Sequence, residues 1–272
     1  MAIMRILIAD GEGAYRRSSG VMDAFVDDLT VRLGARAAVR VRWPEPEQTR
    51  LHRPRSWDAA SAAGVADLAR LVGLHTSDGI VLLGCCCGCR VIHDWLDAHP
   101  EQLDRVLAVG LLSDPLRPRD RWLPGTGDPG GQGVAGRRVG PVPDRTFWVS
   151  VPGDPLSGIE RDSLLRAAVR DSPLTPDQVY RGVLEDLPES RTQLAMRLHV
   201  LQHPAEWPMV FGRRLDEARA ALLRYEDRAY TAQYSEPGPD GRSPMEILGD
   251  RIVDEVRARH DPPQDLPGRL AS

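Results

Sequence analysis

One stretch limits the folds open to this chain more than any other. Gly79-Ile80-Val81-Leu82-Leu83 runs straight into Gly84-Cys85-Cys86-Cys87-Gly88, and a helical pattern starts at once with Cys89-Arg90-Val91-Ile92-His93-Asp94-Trp95. A buried strand, a tight turn and a helix in immediate succession have the form of a nucleophile elbow, G-x-S-x-G, here with Cys86 at the Ser position. Such a turn strains the central residue and brings strand and helix close together, so small residues must flank it. All cysteines of the chain lie here: Cys85, Cys86, Cys87 and Cys89.

The chain on either side alternates strands with helices. Met4–Ala9 reads as a short buried strand, and 18–33 as a helix with Val21, Phe25, Leu29 and Leu33 on one side. Ala38–Trp43 reads as a second strand. A helix over 58–72 is predicted to bury Ala62, Val65, Leu68 and Val72. After the elbow helix come a buried strand over 105–112, a Pro- and Gly-rich stretch over 113–144, and a strand over 146–151. A stretch of that length without regular structure is usually functional or a lid. Helices are predicted over 161–170, 176–187, 190–203 and 210–225. Thr175-Pro176 reads as an N-cap followed by Pro at the first helical position. A last helix over 244–259 has Ile247, Leu248, Ile252, Val253 and Val256 on its core side.

Strands separated by helices imply a parallel sheet with right-handed crossovers. The expectation is an α/β three-layer sandwich of about five parallel strands, with a helical insertion before the last loop. The core spans 1–160 and 226–260, the lid-like insertion 161–225, and a loose tail 261–272.

At 272 residues and a formal net charge of -4, the chain can bury a full core and shows no pull toward nucleic acid. No run approaches the ~18 apolar residues of a membrane span, and no signal peptide is visible. All 35 basic residues are Arg, with no Lys and no Asn, which points to a very GC-rich genome such as those of actinobacteria and their phages.

Several motifs together carry a resemblance. They are Asp10-Gly11-Glu12-Gly13, the elbow, Ser113-Asp114-Pro115-Leu116-Arg117-Pro118 with Asp128-Pro129-Gly130-Gly131-Gln132-Gly133, Val151-Pro152-Gly153-Asp154-Pro155-Leu156-Ser157, and Asp240-Gly241-Arg242-Ser243. On these the chain resembles the cutinase-like α/β hydrolases, most closely the lysin B-type esterases and related virion proteins of actinobacterial phages. Active members of that family cleave the ester joining mycolic acids to arabinogalactan with a Ser–Asp–His triad. The resemblance puts the nucleophile at Cys86 and the acid at Asp154. It puts the oxyanion donors at the backbone N–H of Cys87 and at one near Gly11-Glu12, with Glu12 the candidate there. The His belongs in the segment Ala229-Tyr230-Thr231-Ala232-Gln233-Tyr234, where its position is Tyr230.

Two of the three triad positions thus depart from the family pattern. A thiolate is a strong nucleophile, but it needs a base to form. A Tyr with a reference pKa of about 10 is roughly 0.1% ionised at neutral pH. His203, at a helix end in the insertion, is the better substitute base of the pair His199 and His203. His93 faces away from the site on the elbow helix, while His52, His75, His99 and His260 sit in loops or at helix ends and are expected in solvent. Cys86 and Cys89 form a Cys-x-x-Cys, yet no second ligand pair exists, the two diverge on an elbow, and nothing else resembles a thioredoxin. No metal or cofactor is expected, and Cys85, Cys87 and Cys89 read as small buried hydrophobes. Gly-Asp-Pro around Asp154 is also an ordinary turn, and the Arg-rich loop 50–55 fits either a solvated face or a partner interface.

The function expected is that of a phage virion-associated, minor tail-type protein that has lost hydrolysis. Its partners would be other tail proteins and a lipid or glycan of the host envelope, and it would reside in the virion, or in the host cytoplasm before assembly or lysis. The alternative is an active esterase with Cys86 as nucleophile, Asp154 as acid and a base such as His203.

Overall fold

The central strands are near-continuous apolar runs, the pattern of strands covered on both faces. In the computed structural model, residues 4–11, 20–43, 56–76, 78–186 and 209–260 are described. Strands β1 (Met4–Ala9), β2 (Ala37–Arg40), β3 (Gly79–Cys85), β4 (Val106–Leu112) and β5 (Thr146–Val149) form one sheet. Its order is β2-β1-β3-β4-β5, and every pairing is parallel. The helices are α1 (Gly20–Leu33), α2 (Trp57–Gly73), α3 (Cys89–Ala98), α4 (Leu164–Arg170), α5 (Pro176–Asp186), α6 (Met209–Asp227), α7 (Ala229–Ala232) and α8 (Pro244–His260).

Alternate residues of each strand serve opposite layers. Ile6, Ile8, Val81, Leu83 and Ala108 face a core shared with Phe25 and Leu29 of α1 and with Leu248, Ile252 and Val253 of α8. Leu7, Leu82, Val109 and Leu111 face the opposite core, with Leu68 of α2 and Val91, Ile92 and Trp95 of α3. The result is the expected α/β three-layer sandwich. Order in the sheet reverses between β1 and β3, so the carboxyl ends of those two strands open a crevice, the usual place for a site in an open parallel sheet.

A third apolar cluster lies outside these layers. Leu164, Leu165 and Val169 of α4, Tyr180 and Val183 of α5, and Ala218, Ala221 and Leu222 of α6 pack together. Val134, Leu156 and Ile159 complete the cluster from the chain that follows β4 and β5. Thr175 caps α5: its Oγ1 accepts from Gln178 N at 3.2 Å while Gln178 Oε1 accepts from Thr175 N at 3.0 Å, a reciprocal capping box.

Several expectations need correction. β2 stops at Arg40, although Val41 N still donates to Ile8 O at 2.8 Å. Trp43 turns inward and donates Nε1–H to Asp10 O at 2.9 Å. Of the expected α2 face, Leu68 and Val72 are buried and Val65 packs partly buried against the core, but Ala62 is exposed and the buried face runs on through Trp57, Ala60, Ser61 and Gly64. The cause is Gly64, where a Cβ would lie 2.7 Å from the Val91 side chain, so only Gly lets α2 come this close to α3. Helix α4 begins at Leu164, not 161, because Ser163 caps it. The expected helix at 190–203, the Arg-rich loop 50–55 and the tail 261–272 lie outside the described residues.

The stretch 113–144 is stitched down by Arg117, which is fully buried. Its guanidinium donates to the carbonyls of Ser157 at 2.9 Å, Arg121 at 3.0 Å and Gly131 at 3.1 Å, and also to Gly130. Among the described residues no helix is long and apolar enough to cross a membrane.

Candidate functional site

β3 delivers its last residue, Cys85, into a single turn of 3-10 helix, Cys86–Gly88, and α3 starts at once. Cys86 has φ 50°, a left-handed conformation that a residue with a Cβ adopts at a cost. Gly88 shows why the elbow needs a small residue: a Cβ there would sit 2.2 Å from Ala9 O and 2.4 Å from Asp10 O. The ends of β1 and β3 thus meet across the switch point. A Cβ on Gly11 would lie 3.3 Å from Cys86 Cβ.

The four cysteines part company here. Cys86 is half-buried and packs against the third cluster, and Cys85 is half-buried beside the α1/α8 core. Cys87 and Cys89 lie in the α2/α3 core, with the Cys89 thiol on Leu112 O at 3.5 Å. Of the three expected to be buried hydrophobes, Cys87 and Cys89 are buried and Cys85 only partly so. The sulfurs of Cys85 and Cys86 are 3.6 Å apart. That contact, and then burial, push the Cys85 thiol well above its ordinary value.

A pocket of about 220 Å³ opens over the elbow. Cys85, Cys86 and Cys87 line its floor, with Asp10 and Gly11 from the end of β1 and Ser113 from the end of β4. Tyr230, Thr231, Tyr234 and Met245 close one side; Leu156, Asp177 and Tyr225 close another. The helices reach it through specific bonds: Tyr180 donates its hydroxyl to Pro155 O at 2.6 Å, and Arg224 Nε donates to Gly153 O at 3.0 Å.

Asp154 is fully buried just behind this pocket. Its Oδ1 accepts from Leu156 N at 2.7 Å and Ser157 N at 2.9 Å, an Asx-type turn after β5. Its Oδ2 accepts from the Tyr234 hydroxyl at 2.5 Å. The carboxylate is therefore engaged by Tyr234, four residues beyond the expected Tyr230. Tyr230 is buried on the pocket wall. Burial pushes both phenols well above their usual range, and the charges of Cys86 and Asp154 add to the effect. Neither phenol is a base at neutral pH.

The oxyanion candidates fare differently. Cys87 lines the pocket one residue past the elbow's apex, whereas Glu12 lies outside the described residues. Gly11 N donates to the side chain of its neighbour Asp10 at 2.8 Å, and that carboxylate is paired with Arg40.

No histidine among the described residues lines the pocket. His93 does have a carboxylate partner, with Nε2 and Asp114 Oδ2 2.8 Å apart, but in the core. Trp148 Nε1 donates to the same oxygen at 2.8 Å. That His–Asp pair is fully buried on the α3 side of the sheet and does not reach Cys86. His75 and His99 are half-buried rather than fully in solvent, since each sits at the junction of a helix and its return loop. His52, His199 and His203 lie outside the described residues, as does the side chain of His260.

Residue reasoning missed Tyr234 and Ser113. Ser113 is buried, holds φ 51°, and its Oγ meets no hydrogen-bond partner among the described residues. A strained hydroxyl at a strand end leaves no periodic mark in a sequence.

A parallel sheet of order 2-1-3-4-5, a positive-φ apex between β3 and its helix, and an acid after β5 together decide the architecture. This is an α/β-hydrolase fold. No family model and no curated protein matches the chain. Solved structures of similar fold include the catalytic core domain of acetyl xylan esterase from Trichoderma reesei, at 17% identity and a TM-score of 0.45, covering 59% of this chain and 87% of that one. A cutinase-like protein from Cryptococcus sp. matches at 17% identity and 0.43, covering 68% and 95%. Lysin B from Mycobacteriophage D29 matches at 14% identity and 0.46, covering 94% and 100%.

Proposed function

We propose that this chain is an α/β-hydrolase scaffold that binds a ligand over its elbow and no longer turns over an ester. One observation carries the reading: the Asp154 carboxylate is taken up by the Tyr234 hydroxyl, while Tyr230, and no described imidazole, stands on the pocket wall beside Cys86. A nucleophile, a base and an orienting acid act as a unit, and losing one member leaves only the modest catalysis of binding and an oxyanion hole. The pocket walls of Met22, Leu112, Leu156, Tyr225 and Met245 suit an apolar group, and the polar rim suits a hydroxylated one. A lipid or glycan of the host envelope, the ligand class the resemblance implies, fits that mixture of walls. The role as a virion-associated, minor tail-type protein rests on the sequence resemblance. The division into a core of 1–160 and 226–260 with an inserted helical segment at 161–225 is supported by the separate cluster of α4, α5 and α6.

A second reading is favoured by Cys86 itself. Its sulfur-bearing side chain is half-exposed on a positive-φ elbow, the posture of a working nucleophile. In that reading the chain is an esterase whose base comes from outside the described residues, His203 being the candidate.

Steady-state hydrolysis of a short-chain p-nitrophenyl ester by the wild type and by Cys86→Ala separates the two. The expected result is the same background rate from both. Turnover that disappears in Cys86→Ala establishes the esterase and ends the binding-only reading. Detection of the chain in purified particles tests the virion assignment; finding it only in the lysate after lysis contradicts it.

A further inference from the structure

The chain has a net charge of -4, yet four arginines converge on one cavity away from the elbow. This cavity, about 330 Å³, is lined by Arg161, Arg166, Arg170 and Arg214, with Gln132 and, among the described residues, a single carboxylate, Asp162. It shares no lining residue with the elbow pocket.

Asp162 is already engaged, since its Oδ2 accepts from Arg214 Nε at 2.9 Å and lies 2.8 Å from Arg214 Nη2. The other three guanidiniums share no carboxylate of the cavity. Arg170 reaches out to Asp171 at 3.2 Å, but those side chains are 71% and 68% exposed, so the pair is weak and readily given up. Arg166 is held in place. It donates to Gly133 O and lies against the Gln132 amide, whose oxygen, in the orientation that satisfies both groups, lies 2.8 Å from both terminal nitrogens. Its burial disfavours its own charge, and the like charges of Arg170 and Arg161 disfavour it further. A fixed, half-buried guanidinium flanked by two more is a cavity that an anion stabilises.

We propose that this cavity binds a phosphate group, with Arg161, Arg166 and Arg170 as its ligands. A carboxylate offers one planar edge and is satisfied by a single guanidinium fork. A phosphate offers oxygens in several directions and up to two charges, which suits three guanidinium groups lining one cavity. Arg166 supplies the preorganised floor, and Arg161 and Arg170 close from the exposed rim. The volume exceeds what a bare phosphate needs, leaving room for the alcohol portion of an ester.

The test is calorimetric titration of the full chain with inorganic phosphate and with glycerol 3-phosphate, beside sedimentation with phosphatidylcholine vesicles made with or without phosphatidylglycerol. Saturable binding of a phosphate ester that weakens with added NaCl is expected. Arg161→Gln combined with Arg170→Gln, both on exposed positions, weakens it by about tenfold or more. Asp162→Asn removes the one carboxylate while keeping its shape, and binding tightens. Opposite effects from the two variants separate ligation from misfolding. Binding of vesicles containing phosphatidylglycerol, lost in the double variant, assigns the phosphate to a lipid headgroup; binding of the soluble ester alone assigns it to a free phosphate ester. No saturable binding of any probe, or binding that the double variant leaves unchanged, overturns the proposal.

Discussion

At the scale of single residues, the site depends on what holds Asp154. Three donors reach this fully buried carboxylate: two backbone N–H groups on Oδ1 and the Tyr234 hydroxyl on Oδ2. A hydrogen-bonded carboxylate in such a place is structurally valuable whether or not it orients a base. Tyr234→Phe leaves Oδ2 without that donor, at an expected cost of about 1–3 kcal/mol in urea unfolding. Unchanged stability would mean that the Tyr234–Asp154 bond contributes nothing. The sequence announced Asp154 through Gly153-Asp154-Pro155 and the elbow through its glycines. It did not announce Tyr234, because nothing in the spacing of two tyrosines says which one turns toward a carboxylate 80 positions earlier. Likewise Ser113 heads a motif in the sequence, but its strained backbone shows only in its positive φ.

At the scale of elements, each strand was legible because an apolar run between polar turns has few other uses. The face of α2 was legible only in part, at Leu68, Val72 and Val65. Its burial is set by a Gly that lets two helices touch, and a periodicity of apolar side chains cannot register the value of a missing one. Strand β2 ends sooner than its alternation suggests: Val41 keeps only a last bond to Ile8 O, and Trp43 is buried by turning inward to Asp10 O. The amino ends of β1 and β3 are joined by an ion pair. Arg5 on β1 donates Nε–H to Asp78 Oδ2 at 2.7 Å just before β3, and Arg105 donates to the Asp78 carbonyl. The hydrogen bond from Arg5 lowers the Asp78 pKa from its ordinary 3.8. A carboxyl group whose folded pKa is depressed adds stability above its unfolded value, and that stability is lost as pH falls through the folded value. Wild type is therefore expected to lose stability more steeply than Asp78→Asn as pH drops below about 4, in chemical unfolding measured from pH 5 to 2. Parallel curves for the two proteins would show that the pair is not thermodynamically coupled to folding.

At the scale of the whole molecule, the three-layer sandwich positions the ends of β1 and β3 at the point where strand order reverses. The elbow occupies that point with a positive-φ Cys86 pressed against the end of β1. The helical segment adds a third cluster that grips the Asp154 loop through Tyr180 and Arg224. The α/β-hydrolase fold thus surrounds a pocket whose described wall offers phenols and no imidazole. The most direct measurement is product stoichiometry. The protein is mixed with excess p-nitrophenyl ester while released p-nitrophenol is counted and intact mass is followed. A scaffold that binds without turnover releases no more than one equivalent of p-nitrophenol per chain above background, with any acyl group on Cys86 persisting. Release of many equivalents, with the acyl adduct forming and decaying on Cys86, contradicts that reading.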